Sequence, residues 1–417
     1  MTVVSTASVS TDFAERAAQL DRDDPLAAYR DRFLEAEGTD VVAYLDGNSL
    51  GRPLKASAER LARFAAEDWA GRLIRAWDEQ WMQAPLDLGD EIGRVCLGAA
   101  PGQTVVADST SVLLYKLARA AVAARPDRRE ILLDADNFPT DRFVLDGIAA
   151  ETGCTLRWLP VAADAGATAD AVARAVGPDT ALVLLSHVAY KSAFVADLAA
   201  ITDVAHRAGA LVLWDLSHSV GAVPVGLDAA GGDLAVGCTY KYLNGGPGSP
   251  AFAYVRRDLQ DAMRQPIQGW MAAADVFAMA DRYEPASGMR RFLSGTPPIT
   301  GMLAMRDMVA LIDEVGLDAV RAKSMRLTAF AVGYADAVLA DLGVRLATPR
   351  DPQRRGGHVL LEHPAFQRVV RELWQEGVVP DFRFPNGLRI GLSPLSTSFT
   401  ELLTGLEAIR TALNRSR

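Results

Sequence analysis

The sequence predicts an α/β fold, with a mainly parallel central sheet in a large domain and a smaller C-terminal α+β domain. Three observations predict it. Between about residues 100 and 260, short apolar runs alternate with longer segments of helical period, the pattern of βαβ units. Two of those runs, Leu211–Asp215 and Leu234–Lys241, pass directly from apolar residues to an ionisable one. From about residue 305 the texture changes to long amphipathic helices and isolated strands.

Taken in order, the first 45 residues are polar with a helical pattern, expected to form an arm packed on the large domain or a segment of the small domain. The large domain is assigned to 46–300. Its strands are Ile131–Asp134, Thr155–Val161, Ala181–Ser186, Ala210–Asp215 and Leu234–Tyr240, and helices are predicted over Asp141–Thr152 and Val195–Ala208. Gly209 follows the second helix where a left-handed glycine commonly ends one. The small domain, 301–417, holds helical patterns near 302–341 and 365–377, with strands at His358–Glu362 and from Leu388. There are no internal repeats and no low-complexity linker.

Composition narrows the partners. The chain has 417 residues, 50% hydrophobic and 23% charged, enough for two or three domains with sizeable cores. Acidic residues outnumber basic ones, 52 to 43, and no Lys/Arg run exceeds two, so neither nucleic acid nor an anionic membrane surface is expected. Three scattered cysteines argue against a disulfide framework and for a reducing compartment. The histidines lack metal-ligand spacing, and no metal is expected. A short, uncharged N-terminus and the absence of any membrane-length apolar stretch give an expectation of a cytoplasmic protein acting on a small molecule.

The chemistry sits at predicted strand ends. Asp215 and Lys241 should emerge side by side at the carboxyl edge of one sheet, where ligands of open α/β sheets bind. An acid and a lysine so placed suit pyridoxal phosphate: the lysine bonds to the cofactor and the acid holds its ring nitrogen protonated. Ser186 ends a third strand. Asp108-Ser-Thr110-Ser111 precedes a helical pattern, so Thr110 and Ser111 offer a phosphate cradle, although simple helix capping is the competing reading. Asn137-Phe138-Pro-Thr140-Asp141 also opens a helix; Phe138 could lie on a ring or belong to the core, and Asp141 could be an ordinary first-turn acid. His218, three residues past Asp215, could be a polar core residue. Arg389 stands inside an apolar strand and needs an anion, either a substrate carboxylate or an internal acid.

Tyr44-Leu-Asp-Gly-Asn48-Ser49-Leu-Gly51, Asn137-Phe-Pro-Thr-Asp141, Trp214-Asp-Leu-Ser-His218, Val236-Gly-Cys-Thr-Tyr240-Lys241-Tyr-Leu-Asn-Gly-Gly, Gln268-Gly-Trp270 and Arg291-Phe-Leu-Ser-Gly295-Thr296-Pro-Pro resemble, in order and spacing, the kynureninase family. The resemblance spans about residues 40–395. It implies a fold-type-I pyridoxal-phosphate enzyme, related to class V aminotransferases, working as a homodimer with shared sites. Lys241 would be the Schiff-base lysine, Asp215 and Asp141 would face the pyridine nitrogen, and Phe138 would stack on the ring. Thr110, Ser111, Tyr240 and Trp270 would hold the phosphate, with Thr296 contributed across the dimer. Thr140, Ser186 and His218 would line the cofactor, and Tyr240 would serve as general acid/base. Arg389 would take the substrate carboxylate, with Asn48, Ser49 and Gly295 lining the substrate pocket. The implied activity is hydrolysis of an L-kynurenine to an anthranilate and L-alanine. Ser217 stands where most members carry Cys or Ala. Gly295-Thr296 and Arg72 differ from the animal-type Ser-Asn pair and histidine, in the direction of bacterial enzymes preferring unhydroxylated kynurenine. Alternatives are a 3-hydroxykynurenine-preferring enzyme, another class V enzyme such as a desulfurase, or a non-catalytic binding protein.

Overall fold

The computed structural model describes residues 6–35 and 37–415. In chain order, β1 (Ala43–Tyr44) precedes a seven-stranded sheet of β2 (Thr104–Ala107), β3 (Glu130–Asp134), β4 (Thr155–Leu159), β5 (Thr180–Ser186), β6 (Leu211–Asp215), β7 (Leu234–Gly237) and β8 (Ala251–Val255). The order across the sheet is β2-β8-β7-β6-β5-β3-β4. Strands β3 to β7 pair in parallel. β8 is antiparallel to both β2 and β7, so β2 points the same way as the parallel set. Leu211 and Leu213 of β6 pack into one apolar core, and Val212 and Trp214 into another on the opposite face. Burial on both faces is why these strands are continuous apolar runs in the sequence.

Among the boundaries that differ from the sequence reading, two bear on the architecture. The strand expected to reach Tyr240 ends at Gly237, because side chains divert the backbone there. Cys238 N donates to Ser217 Oγ at 3.3 Å, Thr239 Oγ1 donates to Pro250 O at 2.5 Å, and Gly245 N returns to Thr239 O at 3.0 Å. Lys241 therefore stands in a turn beyond the strand. The helical period near 302–341 is divided at Gly316, φ +85°, into Ile299–Val315 and Leu317–Tyr334. Gly209, φ +79°, does follow the Leu198–Arg207 helix as expected.

The C-terminal part adds β9 (Arg345–Leu346), β10 (His358–Glu362), β11 (Val378–Val379), β12 (Asp381–Arg383) and β13 (Gly387–Gly391). An antiparallel sheet in the order β12-β13-β10-β9 packs with helices Leu317–Tyr334, Phe366–Gln375 and Phe399–Asn414 around its own core. β1 pairs in parallel with β11. The N-terminal helix, Thr6–Arg22, joins this unit and not the large domain. Phe13 meets the rings of Phe330 at 5.5 Å and Tyr334 at 5.1 Å. Phe13 and Ala17, one turn apart on the helix, are both buried in that core.

Candidate active site

The loops leaving β3, β5, β6 and β7, and the helix following β2, gather at one edge of the large sheet. Register places Ser186 beside Asp215, and Asp215 beside Val236. Asp215 Oδ1 accepts from Ser217 N at 2.8 Å, which fixes the turn that presents His218. The Lys241 side chain, 8% exposed, puts Nζ 3.3 Å from His218 Nε2. Nζ lies 5.9 Å from the Phe138 ring centre and 6.0 Å from that of Tyr240. Burial, reinforced by Lys241, depresses the His218 pKa far below the usual histidine range, so the imidazole is neutral. Burial raises the Tyr240 phenol, keeping it protonated.

Behind Phe138, Asn137 Oδ1 accepts from Ser186 Oγ at 2.9 Å and from Phe138 N at 2.7 Å. Asn137 Nδ2 and Asp141 Oδ2 are buried without a hydrogen-bond partner among the described residues. Asp141 is 1% exposed, and burial with the neighbouring Asp215 drives its pKa well above the carboxylate range. Two acids enclosed together call for a proton donor between the chain and whatever fills the site. Thr140 lies in the first turn of the Pro139–Thr152 helix.

At the sheet's far side, Asp108 adopts φ +46°, and Ser109 caps the Thr110–Ala123 helix, accepting from Val112 N at 3.4 Å. Capping thus falls to Ser109, and it leaves the hydroxyls and backbone N–H groups of Thr110 and Ser111 on the first turn, where an anion is favoured. One missed residue holds this turn: Lys116 Nζ, fully buried, sits 2.5 Å from Asp108 Oδ2 and donates to Phe292 O at 2.9 Å. A lysine at a helical position carries no sequence signal of burial.

A second wall comes from the C-terminal unit. Arg389 of β13 is 1% exposed. Its Nη1 donates to Tyr190 O at 2.8 Å and its Nη2 to Ser49 Oγ at 2.7 Å. The Asn48 amide, oriented to satisfy both its atoms, accepts from Arg389 Nε at 3.1 Å and donates to Asp46 Oδ1 at 3.2 Å. The internal acid does exist: Asp381 Oδ2 is 2.7 Å from Arg389 Nη2 and also accepts from Arg383 Nε at 2.6 Å. The Pro385-Asn386 pair is a turn signal that could have revealed this, since the hairpin closed by residues 384–386 sets Asp381 opposite Arg389. Asp46, raised to about 6 mainly by burial and then by Asp381, completes the cluster. Two glycines let these segments meet. A Cβ on Gly51 would strike Lys241 O at 2.4 Å, and one on Gly391 would strike the Asn48 side-chain amide at 1.7 Å.

Not every expected residue converges. Trp270 is 42% exposed; Met271 N, next to it, donates to Ser294 O at 3.2 Å. Gly295 and Thr296 are exposed on that same surface loop. Arg72 is at the surface, paired with Glu79. The groups that do converge fit pyridoxal phosphate. The enclosed acids suit a protonated ring nitrogen, Phe138 offers a ring face, the first helical turn takes a phosphate, and Lys241 supplies the amine.

Residues 320–409 match the family described as Kynureninase C-terminal domain. The chain is 40% identical over 403 residues to the kynureninase of Pseudomonas fluorescens, covering 95% of this chain and 94% of that one. Among solved structures it resembles the apo cysteine desulfurase of Thermococcus onnurineus NA1, with TM-score 0.78 and 18% identity over 89% of this chain and 95% of that one. It also resembles a C-DES mutant with glycine covalently linked to its pyridoxal-phosphate cofactor, with TM-score 0.77 and 20% identity over 91% and 98%. The last two similarities speak to fold alone. Identity at this level along nearly the whole of both sequences goes further: the chain belongs to the kynureninase family.

Proposed function

We propose that this protein hydrolyses L-kynurenine to anthranilate and L-alanine, using pyridoxal phosphate at the site built around Lys241. The observation that carries the reading is the convergence of Lys241, the Asp215/Asp141 pair and Arg389 within one enclosed edge, in a chain of this family. Bound pyridoxal phosphate supplies an electron sink for negative charge developing at the substrate's Cα and Cβ. Lys241 would hold the cofactor through its amine, and that amine would take and return the Cα proton. Asp215, with Asp141 beside it, holds the proton on the ring nitrogen. Phe138 covers the ring face, while Thr140, Ser186 and His218 line its edge.

Thr110, Ser111 and Tyr240 bind the phosphate. Tyr240, protonated because it is buried, serves as the acid/base for proton transfers at the leaving side. Arg389 orients the α-carboxylate, with Asn48 and Ser49 beside it. The exposed Gly295 and Thr296 serve the neighbouring site of a homodimer. Among the described residues no helix is long and apolar enough to cross a membrane, and the cytoplasm is the compartment that fits the three free cysteines.

The test is steady-state turnover of L-kynurenine and 3-hydroxykynurenine by the cofactor-loaded protein, with both products identified. Anthranilate and alanine in equal amounts are expected, with unhydroxylated kynurenine preferred. A keto acid in place of alanine would make the protein an aminotransferase, and no turnover of either compound would remove the reading.

A further inference from the structure

Arg389 is nearly saturated. A guanidinium carries five N–H donors, and four partners already face them: Tyr190 O at 2.8 Å, Ser49 Oγ at 2.7 Å, Asn48 Oδ1 at 3.1 Å and Asp381 Oδ2 at 2.7 Å. Holding an incoming carboxylate through two parallel N–H bonds therefore requires a partner to leave. Three of the four are neutral. Asp381 is the partner that an incoming carboxylate replaces like for like, and the two could not share Arg389 without direct repulsion.

Asp381 also has somewhere to go. Its Oδ2 accepts from Arg383 Nε at 2.6 Å, and Arg383 lies two residues along β12 on the same side of the strand. The Asp381 side chain is 17% exposed against 1% for Arg389, so the acid can shift while the arginine stays fixed. Asp46 Oδ1, 3.8 Å from Arg389 Nη2, keeps further negative charge close to the guanidinium.

We propose that Asp381 is a positioning residue, a stand-in carboxylate that occupies Arg389 until the substrate's α-carboxylate displaces it onto Arg383. The inference rests on the proposed hydrolysis of kynurenine, and it defines the ligand class as α-amino acids with a free carboxylate. A compound lacking that group cannot displace Asp381 and meets a guanidinium whose charge is already matched. The acid thus lowers affinity for carboxylate ligands alone, because only they must displace it.

The experiment measures KM and kcat for L-kynurenine and its α-carboxamide with the cofactor-loaded parent, Asp381→Asn and Asp381→Glu. Asp381→Asn is expected to lower KM for kynurenine about tenfold, equivalent to ~1.4 kcal/mol, with kcat changed less than about twofold. KM for the carboxamide should stay put, and Asp381→Glu should restore the parental value. A rise in KM for kynurenine, or equal shifts for both compounds, would show that Asp381 merely braces Arg389 and overturn the proposal. If Asp381→Asn does not fold, Arg383→Gln tests the same idea from the other side. It removes the alternative anchor, so KM should rise for kynurenine alone, and no change would refute displacement. A parent that is inactive on kynurenine would instead strike the functional reading itself, and this inference would fall with it.

Discussion

Replacing Lys116 by methionine keeps the volume of the side chain and removes a fully buried ammonium. Nζ is the cation that faces Asp108 Oδ2 at 2.5 Å and the donor to Phe292 O at 2.9 Å. Removing one partner of a buried ion pair costs ~3–5 kcal/mol. Asp108 keeps 27% side-chain exposure and can regain water, which discounts the loss to about 2–3 kcal/mol. For a chain of this size the melting temperature should fall by roughly 2–6 °C. A second consequence separates this from a generic core defect. Asp108 sits at φ +46° just before the Ser109 cap, so losing its anchor loosens the first helical turn proposed to bind the cofactor phosphate. Phe292 leads directly into the Ser294–Thr296 loop. Thermal unfolding of the cofactor-free and loaded forms, with cofactor release followed by absorbance after dilution, measures both effects. Weaker stability together with cofactor affinity reduced on the order of tenfold is expected. An unchanged melting temperature would refute the energetic argument. Lower stability with unchanged cofactor affinity would refute the claim that Lys116 holds the phosphate turn.

Lys241→Ala should abolish turnover and leave no cofactor fixed to the chain after borohydride treatment, as seen by mass spectrometry; attachment at another lysine would relocate the site. Asp215→Asn should retain cofactor but lose most of the rate, because a neutral ring is a poor electron sink, and an unaltered kcat would remove Asp215 from the mechanism. Arg389→Lys keeps the charge but loses the planar fork, so kcat/KM should fall by a factor on the order of 10–100 with the cofactor spectrum intact; loss of stability at normal kcat/KM would make Arg389 structural. Asp46 predicts a pH effect. Its pKa is raised to about 6, so the folded state binds this proton more tightly than the unfolded chain, and stability falls as pH rises from about 4 through about 6. Asp46→Asn removes that penalty, by up to ~3 kcal/mol. The variant should outlast the parent in denaturant at pH 8 and converge with it below about pH 4; a constant gap would refute the shift.

What the sequence disclosed followed from how each residue meets the core. Ser186 and Asp215 end runs that are apolar on both strand faces, so the change from apolar to polar marks the sheet edge directly. Lys241 was found for the same reason, although its strand stops four residues earlier, because the diverted turn still delivers it to that edge. Residues whose placement depends on distant segments stayed hidden. Lys116 lies in a helix whose pattern does not set it apart from solvent-facing positions, and its burial depends on Phe292, 176 positions away. Asp381 matters because of hairpin register with Arg389, which the turn at 384–386 sets and an isolated strand does not. The N-terminal helix went to the C-terminal core because its apolar pair fits there, and nothing local names its partner.

The fold does not choose the reaction, as its likeness to a cysteine desulfurase at TM-score 0.78 makes plain. The choice lies in side chains. A desulfurase needs a thiolate able to reach the substrate's sulfur, whereas Cys96, Cys154 and Cys238 are all buried. Burial pushes the Cys96 thiol up to about 12 and also raises that of Cys238, leaving both poor nucleophiles at neutral pH. Cys238 stands nearest the chemistry, yet its Sγ faces Ser217 O at 3.8 Å while its N–H bonds Ser217 Oγ. It holds together the turns that present His218 and Lys241. The phenol of Tyr240, two residues on, is instead kept protonated by burial with its ring 6.0 Å from Lys241 Nζ. On this scaffold the group beside the lysine can pass a proton but cannot attack sulfur, and that is the requirement of cleaving a carbon–carbon bond with water.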